Sequence, residues 1–355
     1  MQSTRVLDRA QRPIDTPSRP SHLDVLGMTL VAALATWIFV AALASGGDPI
    51  PGALTLGGSA AALIVARMVS SIRRLLVPAL VVGAAGTLIL VDPSGIFTAA
   101  PRAGPFGFSS ITGAFYLQGA VGGLMLAARS PTAWGKSAGV LAAILFSAVP
   151  IFTETRAAVI LLLVLAVPVA LLRRTGRRGF IVACGVVFAA ALLTSIALGA
   201  TYGDGDRRGT VDTFVDSTLT ERRVGLWQEA IAMTVDSPLT GVGPGRFRFH
   251  SELIREDADV PWAHNDLLQQ GAETGVPGFL LLTSLFAWGF VRLRARIAGS
   301  VMPVLGAVSL AALGVHACIE YVLQRPAVPI VAAAILGSAI GPRKRFDTPR
   351  RPRPR

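Results

Sequence analysis

An all-α, polytopic bundle of transmembrane helices is the fold class that this sequence predicts. Three observations carry the prediction: long apolar runs that recur along the chain, a shortage of charge, and a one-sided distribution of the charge present. Of 355 residues, 52% are hydrophobic and 15% are charged, against roughly 25% charged in an ordinary soluble domain. Mean hydropathy is +0.59. Length alone would suit two or three soluble domains of about 150 residues. Runs of roughly 20 apolar residues replace that reading with one membrane domain.

The first residues, 1–24, are polar and hold several Pro and Arg, so a disordered basic tail is expected there. The apolar run from Val25 to Ala44 is too long for a typical signal-peptide core, and no clear cleavage site follows it. It reads as an uncleaved first span. A membrane domain over 25–341 is expected to cross the bilayer about ten times. The spans fall near 25–45, 51–69, 74–91, 109–128, 138–152, 156–172, 179–200, 277–295, 299–319 and 326–341. The pairs 51–69 with 74–91 and 138–152 with 156–172 read as tight helical hairpins. The spans are rich in Ala, Leu, Val and Gly, and such small residues permit close helix packing. A second basic tail occupies 342–355.

Orientation follows from the arginines. With the N-terminus in the cytoplasm, the inside segments hold Arg67, Arg73, Arg74, Arg129, Lys136, Arg173, Arg174, Arg177, Arg178, Arg292, Arg294 and Arg296. The tail from Arg343 onward joins them, so both termini are expected inside. The net charge of +12 and pI of about 11.2 are thereby explained as topology signals facing anionic lipid. Membrane lipids, and no nucleic acid, are the partners this charge implies.

Cys184 and Cys318 lie in apolar spans directed toward opposite faces, so no disulfide between them is expected. Neither has the His, Asp or Glu company of a metal site, and no metal or cofactor is expected. Asp, Glu, Lys and Arg are missing from the middle of the spans. Ion-coupled transporters usually keep such residues at that depth, so a proton- or sodium-driven carrier is disfavoured.

A few basic residues fall outside, where sorting does not explain them: Arg102, Arg156, Arg325 and those of the extracytoplasmic loop 201–276. That loop is too long for a mere connector. Thr220 and Glu221 suit a helix start, Leu226, Trp227, Ala230, Ile231 and Thr234 recur at helical spacing, and Asp236-Ser237-Pro238 ends the run. Gly241-Val-Gly-Pro-Gly245 is a tight turn that brings backbone close to a ligand or to another helix. A further helix is expected from Pro261, with Gly275 and Pro277 at its end. On that helix His264, Leu267, Leu268 and Gly271 would share a face, with His264 at the membrane–water boundary.

These pieces together resemble the O-antigen ligase family, within the superfamily that also holds polysaccharide polymerases. The resemblance is carried by Arg223-x-x-x-Trp227, Asp236-Ser-Pro-Leu-Thr-Gly-Val-Gly-Pro-Gly-Arg-Phe247, Ala263-His264-Asn265 with Leu268, and Glu273-Thr-Gly-Val-Pro-Gly278. Thr155-Arg156, Gly104-Pro-Phe106 and the stretch from His316 through Glu320 extend it. It implies transfer of a glycan from a polyprenyl-diphosphate carrier to an acceptor hydroxyl, on the outer face of a bacterial cytoplasmic membrane. The acceptor, whether glycan, lipid or protein, stays open.

Such a reaction needs few parts. A departing diphosphate needs positive charge, which arginine supplies permanently and bidentately. An acceptor hydroxyl needs a base, and neutral His can serve for roughly 10²–10⁴-fold in rate. His264 is therefore expected as the general base, with Arg156 and Arg223 as diphosphate clamps and Arg222 as the neighbouring alternative. Asn265 and Trp227 are expected to orient the base or to stack on sugar, and Arg325 to meet substrate phosphate. Plainer roles compete. An interfacial His can be structural, Arg156 can anchor a helix, and Arg223 can pair with Glu221 or Glu229. His316 and Glu320 can line a cavity or pair with each other. Two further classes compete: a transporter, which mid-span charges would support, and an envelope-assembly scaffold, which would leave His264 and Arg156 dispensable.

Overall fold

The computed structural model describes residues 21–91, 106, 109–152, 156–201, 221–256, 261–297 and 300–341, with the backbone alone at 109 and 150–175. Among them the structure is wholly helical, as the sequence predicts. Five helices are long and apolar enough to cross a membrane: His22–Ser45, Ile50–Ile72, Ser110–Arg129, Gly176–Thr201 and Asp266–Ala295. Shorter apolar helices occupy Leu76–Val91, Ala133–Val149, Met302–Ala317 and Ala327–Ala339. These coincide with expected spans. The span expected at 156–172 is helical in backbone. The two terminal tails lie outside the described residues.

Helix α1 (His22–Ser45) opens on a capping box, with Ser21 and Asp24 each accepting the other's backbone N–H. It runs along α10 (Asp266–Ala295), tied by the indole N–H groups of Trp288 to the Leu23 carbonyl at 2.6 Å and of Trp37 to the Thr274 carbonyl at 2.8 Å. Helices α2 (Ile50–Ile72) and α3 (Leu76–Val91) follow, joined by a short turn that bears Arg73 and Arg74; they do not form the expected tight hairpin, because α2 packs mainly on the last helix (Ala327–Ala339) and α3 on the helix over Ser109–Arg129. Helices α4 (Ser109–Arg129) and α5 (Ala133–Phe152) cross at Gly123 and Gly139, whose bare Cα atoms meet the partner's backbone. Helix α6 (Arg156–Thr201) breaks at Gly176 (φ 64°), inside the expected turn between two spans. Helix α11 (Met302–Ala317) is buried along nearly its whole length and forms the centre. Helix α12 (Ala327–Ala339) closes the bundle against α2.

Arg67, Arg74, Arg129 and Arg292, which the sequence reading expects inside, lie at one end of this bundle. Arg67 and Arg292 converge on Asp24, and Arg129 donates to the Arg74 carbonyl and to both oxygens of Ser338. The opposite end carries the soluble segment. Helix α7 (Glu221–Asp236) has the expected limits, followed by the short helices α8 (Phe247–His250) and α9 (Glu252–Glu256). Val224, Leu226, Trp227, Ala230, Phe247, Ile254, Leu268 and Ala272 form a small core of its own.

The glycine turn packs against a helix, settling the choice the sequence left open. Val242 N–H donates to the Ala272 carbonyl at 2.8 Å and Gly243 N–H to that of Glu273 at 3.0 Å. Glu273 answers with its carboxylate, accepting from Gly245 N–H at 2.9 Å and from Gln269 at 3.0 Å. A Cβ at Gly241 (φ 62°) would run into the backbone at Ala272–Thr274, so only glycine fits. Gly275 (φ 70°) then breaks α10 into a loop-facing first part and a longer apolar second part.

Candidate active site

Asn265 decides the local geometry at His264. Its side chain accepts from Leu267 N–H at 3.2 Å and Leu268 N–H at 3.0 Å, which makes it the N-cap of α10. Its amide donates to the Cys318 carbonyl at 2.7 Å and so fastens the helix start to the end of α11. The helix therefore begins at Asp266, and the expectation of a start at Pro261, with His264 on the helical face, is corrected. His264 precedes the cap in the left-handed conformation, φ 52°. That backbone costs a non-glycine residue roughly 1–2 kcal/mol, and several contacts hold it. Trp227 Nε1–H donates to the His264 carbonyl at 3.3 Å, and the imidazole stands edge-on to Tyr321 with centroids 5.0 Å apart.

The imidazole Nδ1 lies 2.9 Å from Glu320 Oε2. The other oxygen, Oε1, accepts from Arg223 Nη2. Glu320 is thus bracketed by a guanidinium and an imidazole, with its side chain only 3% exposed. Burial alone would raise its pKa. The Arg223 charge and the His264 hydrogen bond outweigh burial and hold the carboxyl below the usual glutamate range. An ionised carboxylate only accepts, so Nδ1 carries the hydrogen, and in a neutral imidazole Nε2 then holds the lone pair. The tautomer of the neutral imidazole is thus fixed from behind.

The remaining sequence candidates divide. Arg223, Trp227, Asn265 and His264 come together. The pairing of Arg223 with Glu221 or Glu229 is corrected: Glu229 instead accepts from Ser251 Oγ and the N–H groups of Glu252 and Leu253. Arg222 points to the Leu253 carbonyl at 3.3 Å and buttresses the loop. Arg325 lies over the Trp262 ring, 5.4 Å from its centroid, and that ring stacks on Tyr321 at 4.6 Å. This stack links Arg325 to the ring that flanks His264. The side chain of Arg156 lies outside the described residues, as do Thr155, Arg102 and Gly104.

Sequence reasoning missed the role of Glu320. It put that residue on one helix face with His316, to line a cavity or to pair with it, but α11 ends at Ala317 and Glu320 sits in the turn beyond. His316 remains next to the cluster, 2% exposed, with no hydrogen-bond partner on Nε2. Trp262 and Tyr321 were missed too. The available signal was Trp and Tyr near chain turns that flank the candidate His and Glu, the position where an aromatic body with a polar tip belongs.

Fold and site define a multi-pass membrane protein with a buried Glu, a fixed His and an Arg gathered where the soluble segment meets the bundle. Residues 141–283 match the family model described as O-antigen ligase, and this match supports the O-antigen ligase family for the chain. The matched stretch includes Arg223, Trp227, His264 and Asn265; Glu320 comes into the site from beyond it. No curated protein matches the chain. The family match supports glycan transfer of the O-antigen ligase or polymerase type in general.

Proposed function

We propose that the chain is a membrane glycosyltransferase-type ligase. It takes a glycan from a polyprenyl-diphosphate carrier and transfers it to an acceptor hydroxyl at the outer face of the cytoplasmic membrane. The observation that carries this reading is His264 Nδ1 held at 2.9 Å by a carboxylate whose other oxygen is neutralised by Arg223. Nε2 of His264 takes the acceptor's proton as the hydroxyl oxygen attacks the anomeric carbon. The bond from that carbon to the diphosphate oxygen breaks, and the diphosphate leaves on its carrier. Arg223, with Arg156 and Arg325 as further clamps, offsets the charge that develops on it. Arg222 acts one step back, by holding the loop. The arginines provide the counter-charge, so no metal is assigned a step.

The reading is tested with purified protein in proteoliposomes, supplied with a polyprenyl-diphosphate glycan and candidate acceptors. Wild type should form the new glycosidic bond, and His264→Ala at equal membrane level should not. Full transfer by His264→Ala would sink the base assignment. Products that lengthen as a ladder on the carrier lipid would mark a polymerase. Absence of transfer from every donor would return the chain to the transporter or scaffold classes.

A further inference from the structure

The lipid-facing surface of α10 does not stop where that helix breaks. Beyond Gly275, Val276 is 41% exposed, Leu280 54% and Val291 53%, and Ala287 is exposed with them. Steps of four and seven residues keep these side chains on one face. They are the stripe that this long apolar helix turns to the bilayer.

Where the stripe begins, the soluble segment rests on it. Val276 N–H donates to the Pro238 carbonyl at 2.8 Å. A Cβ at Gly275 would strike the carbonyls of Pro238 and Leu239, so the turn after α7 lies with its backbone against the break. Pro238 and Leu239 therefore sit at the depth where α10 enters its apolar part. Leu239 is 70% exposed, and so is Val235, one turn earlier on α7. Along the exposed face of α7, Glu221 and Gln228 near its start are polar, whereas Ala232 and Val235 near its end are apolar. The helix thus loses its water-facing character as it approaches the α10 stripe.

Charge does not explain a contact here. From Val224 to Gly245 the sequence has no Lys or Arg, and Asp236 is the one exposed charged residue of that stretch. Capture by anionic headgroups needs clustered basic residues. An exposed apolar patch marks a membrane or a protein contact, and continuity with the α10 stripe selects the membrane.

We propose that the corner formed by Val235 and Leu239 is inserted into the leaflet nearest the soluble segment, among the acyl chains. The soluble segment is then a wedge seated in the bilayer and not a free loop. Helix α7 also carries Arg223, so the seat fixes the height of that guanidinium above the acyl chains. The contact is measured without turnover and stands apart from the transfer reading.

The test uses the full chain in nanodiscs with a nitroxide at one position at a time. Val235→Cys and Leu239→Cys carry the question, Leu280→Cys is the lipid reference and Gln228→Cys the water reference. Native Cys184 and Cys318 are 0% exposed, and wild type taken through the same labelling reports any background. Power saturation compares oxygen, which concentrates among acyl chains, with a water-soluble nickel chelate. Labels at 235 and 239 should favour oxygen as the label at 280 does, at a depth of about 5–10 Å, the usual seat of an interfacial apolar face. The label at 228 should favour nickel. The depth should be the same in neutral and anionic nanodiscs and in high salt. Leu239→Asp should bring the label at 235 out to nickel while the label at 280 stays in lipid. Labels at 235 and 239 as open to nickel as the one at 228 would overturn the proposal. Labels shielded from both reagents would overturn it too and give the corner to a protein surface. A depth that collapses in high salt would overturn the apolar seat in favour of charge.

Discussion

Each end of the bundle holds one buried carboxylate between two basic side chains, and the two clusters differ in a single partner. Asp24, on α1, accepts both Nη groups of Arg67 from α2, at 2.8 and 3.0 Å, and Nε of Arg292 from α10 at 2.9 Å. Glu320 accepts from Arg223 of α7 and from His264, which immediately precedes the cap of α10. The Asp24 cluster carries two permanent positive charges and one negative, and its charge is fixed. The Glu320 cluster is balanced while His264 is neutral and gains one unit when the imidazole takes a proton. The same three-body design is a fastener at one end and, in the proposed function, a proton acceptor at the other. Helix α10 and the residue that precedes its cap each supply a partner, Arg292 to Asp24 and His264 to Glu320.

The sharpest way to break this comparison is to remove the titratable member. His264→Ala should lower glycan transfer by about 10²–10⁴-fold, the range of a positioned general base, with the thermal unfolding midpoint close to wild type. Steady-state transfer and a melting curve in detergent check both halves. A large loss of stability with little loss of rate would make His264 another fastener.

The second way is to remove the fixed carboxylate. Asp24→Asn leaves Arg292, 3% exposed, without its counter-charge. Removing one partner of a buried ion pair costs about 3–5 kcal/mol. The variant should lose that much in denaturant unfolding while each folded molecule keeps its rate. A rate that collapses with stability intact would give the Asp24 end a part in the chemistry.

The spans and the limits of α7 were legible because each obeys a local rule. A bilayer asks for roughly 20 apolar residues, and Asp236-Ser237-Pro238 stops a helix by backbone chemistry alone. The glycine turn and Glu273 were legible as motifs, though not as each other's partners. The Glu320 cluster was not legible. His264 and Glu320 are 56 residues apart and Arg223 and Glu320 are 97 apart, and no periodicity links them. A local rule also misled. Spacing of four put Glu320 and His316 on one helix face, yet the helix that would align them ends at Ala317. One available signal was overlooked: Asn265 followed by Asp266 is a cap and an acidic first turn, which excludes His264 from the helix.

Glu320→Gln tests whether the carboxylate does more than fill space. An amide can present its NH₂ to Nδ1 and favour the tautomer with hydrogen on Nε2, which leaves no lone pair for the acceptor. Transfer should fall by about 10²-fold, and Glu320→Asp should restore part of it. The acid limb of stability gives an independent readout. Because the folded pKa of Glu320 lies below its ordinary value of 4.5, its contribution is complete above that value and is lost as pH falls through the folded one. Wild type should lose stability in that acid window, and Glu320→Gln should lose less of it.

Arg222 and Arg223 are adjacent in the chain and provide the smallest contrast. Arg223 meets the buried carboxylate, whereas Arg222 reaches the Leu253 carbonyl at 3.3 Å. Arg222→Ala should therefore cost about 1 kcal/mol of loop stability, the worth of an ordinary hydrogen bond, and change transfer only a few-fold. Arg223→Ala strips the positive partner from Glu320 and should reduce the rate well beyond that, with Arg223→Lys in between because an ammonium keeps the charge without the planar fork. Equal losses at 222 and 223 would mean that the loop's basic character as a whole, and not one guanidinium on Glu320, supports the site.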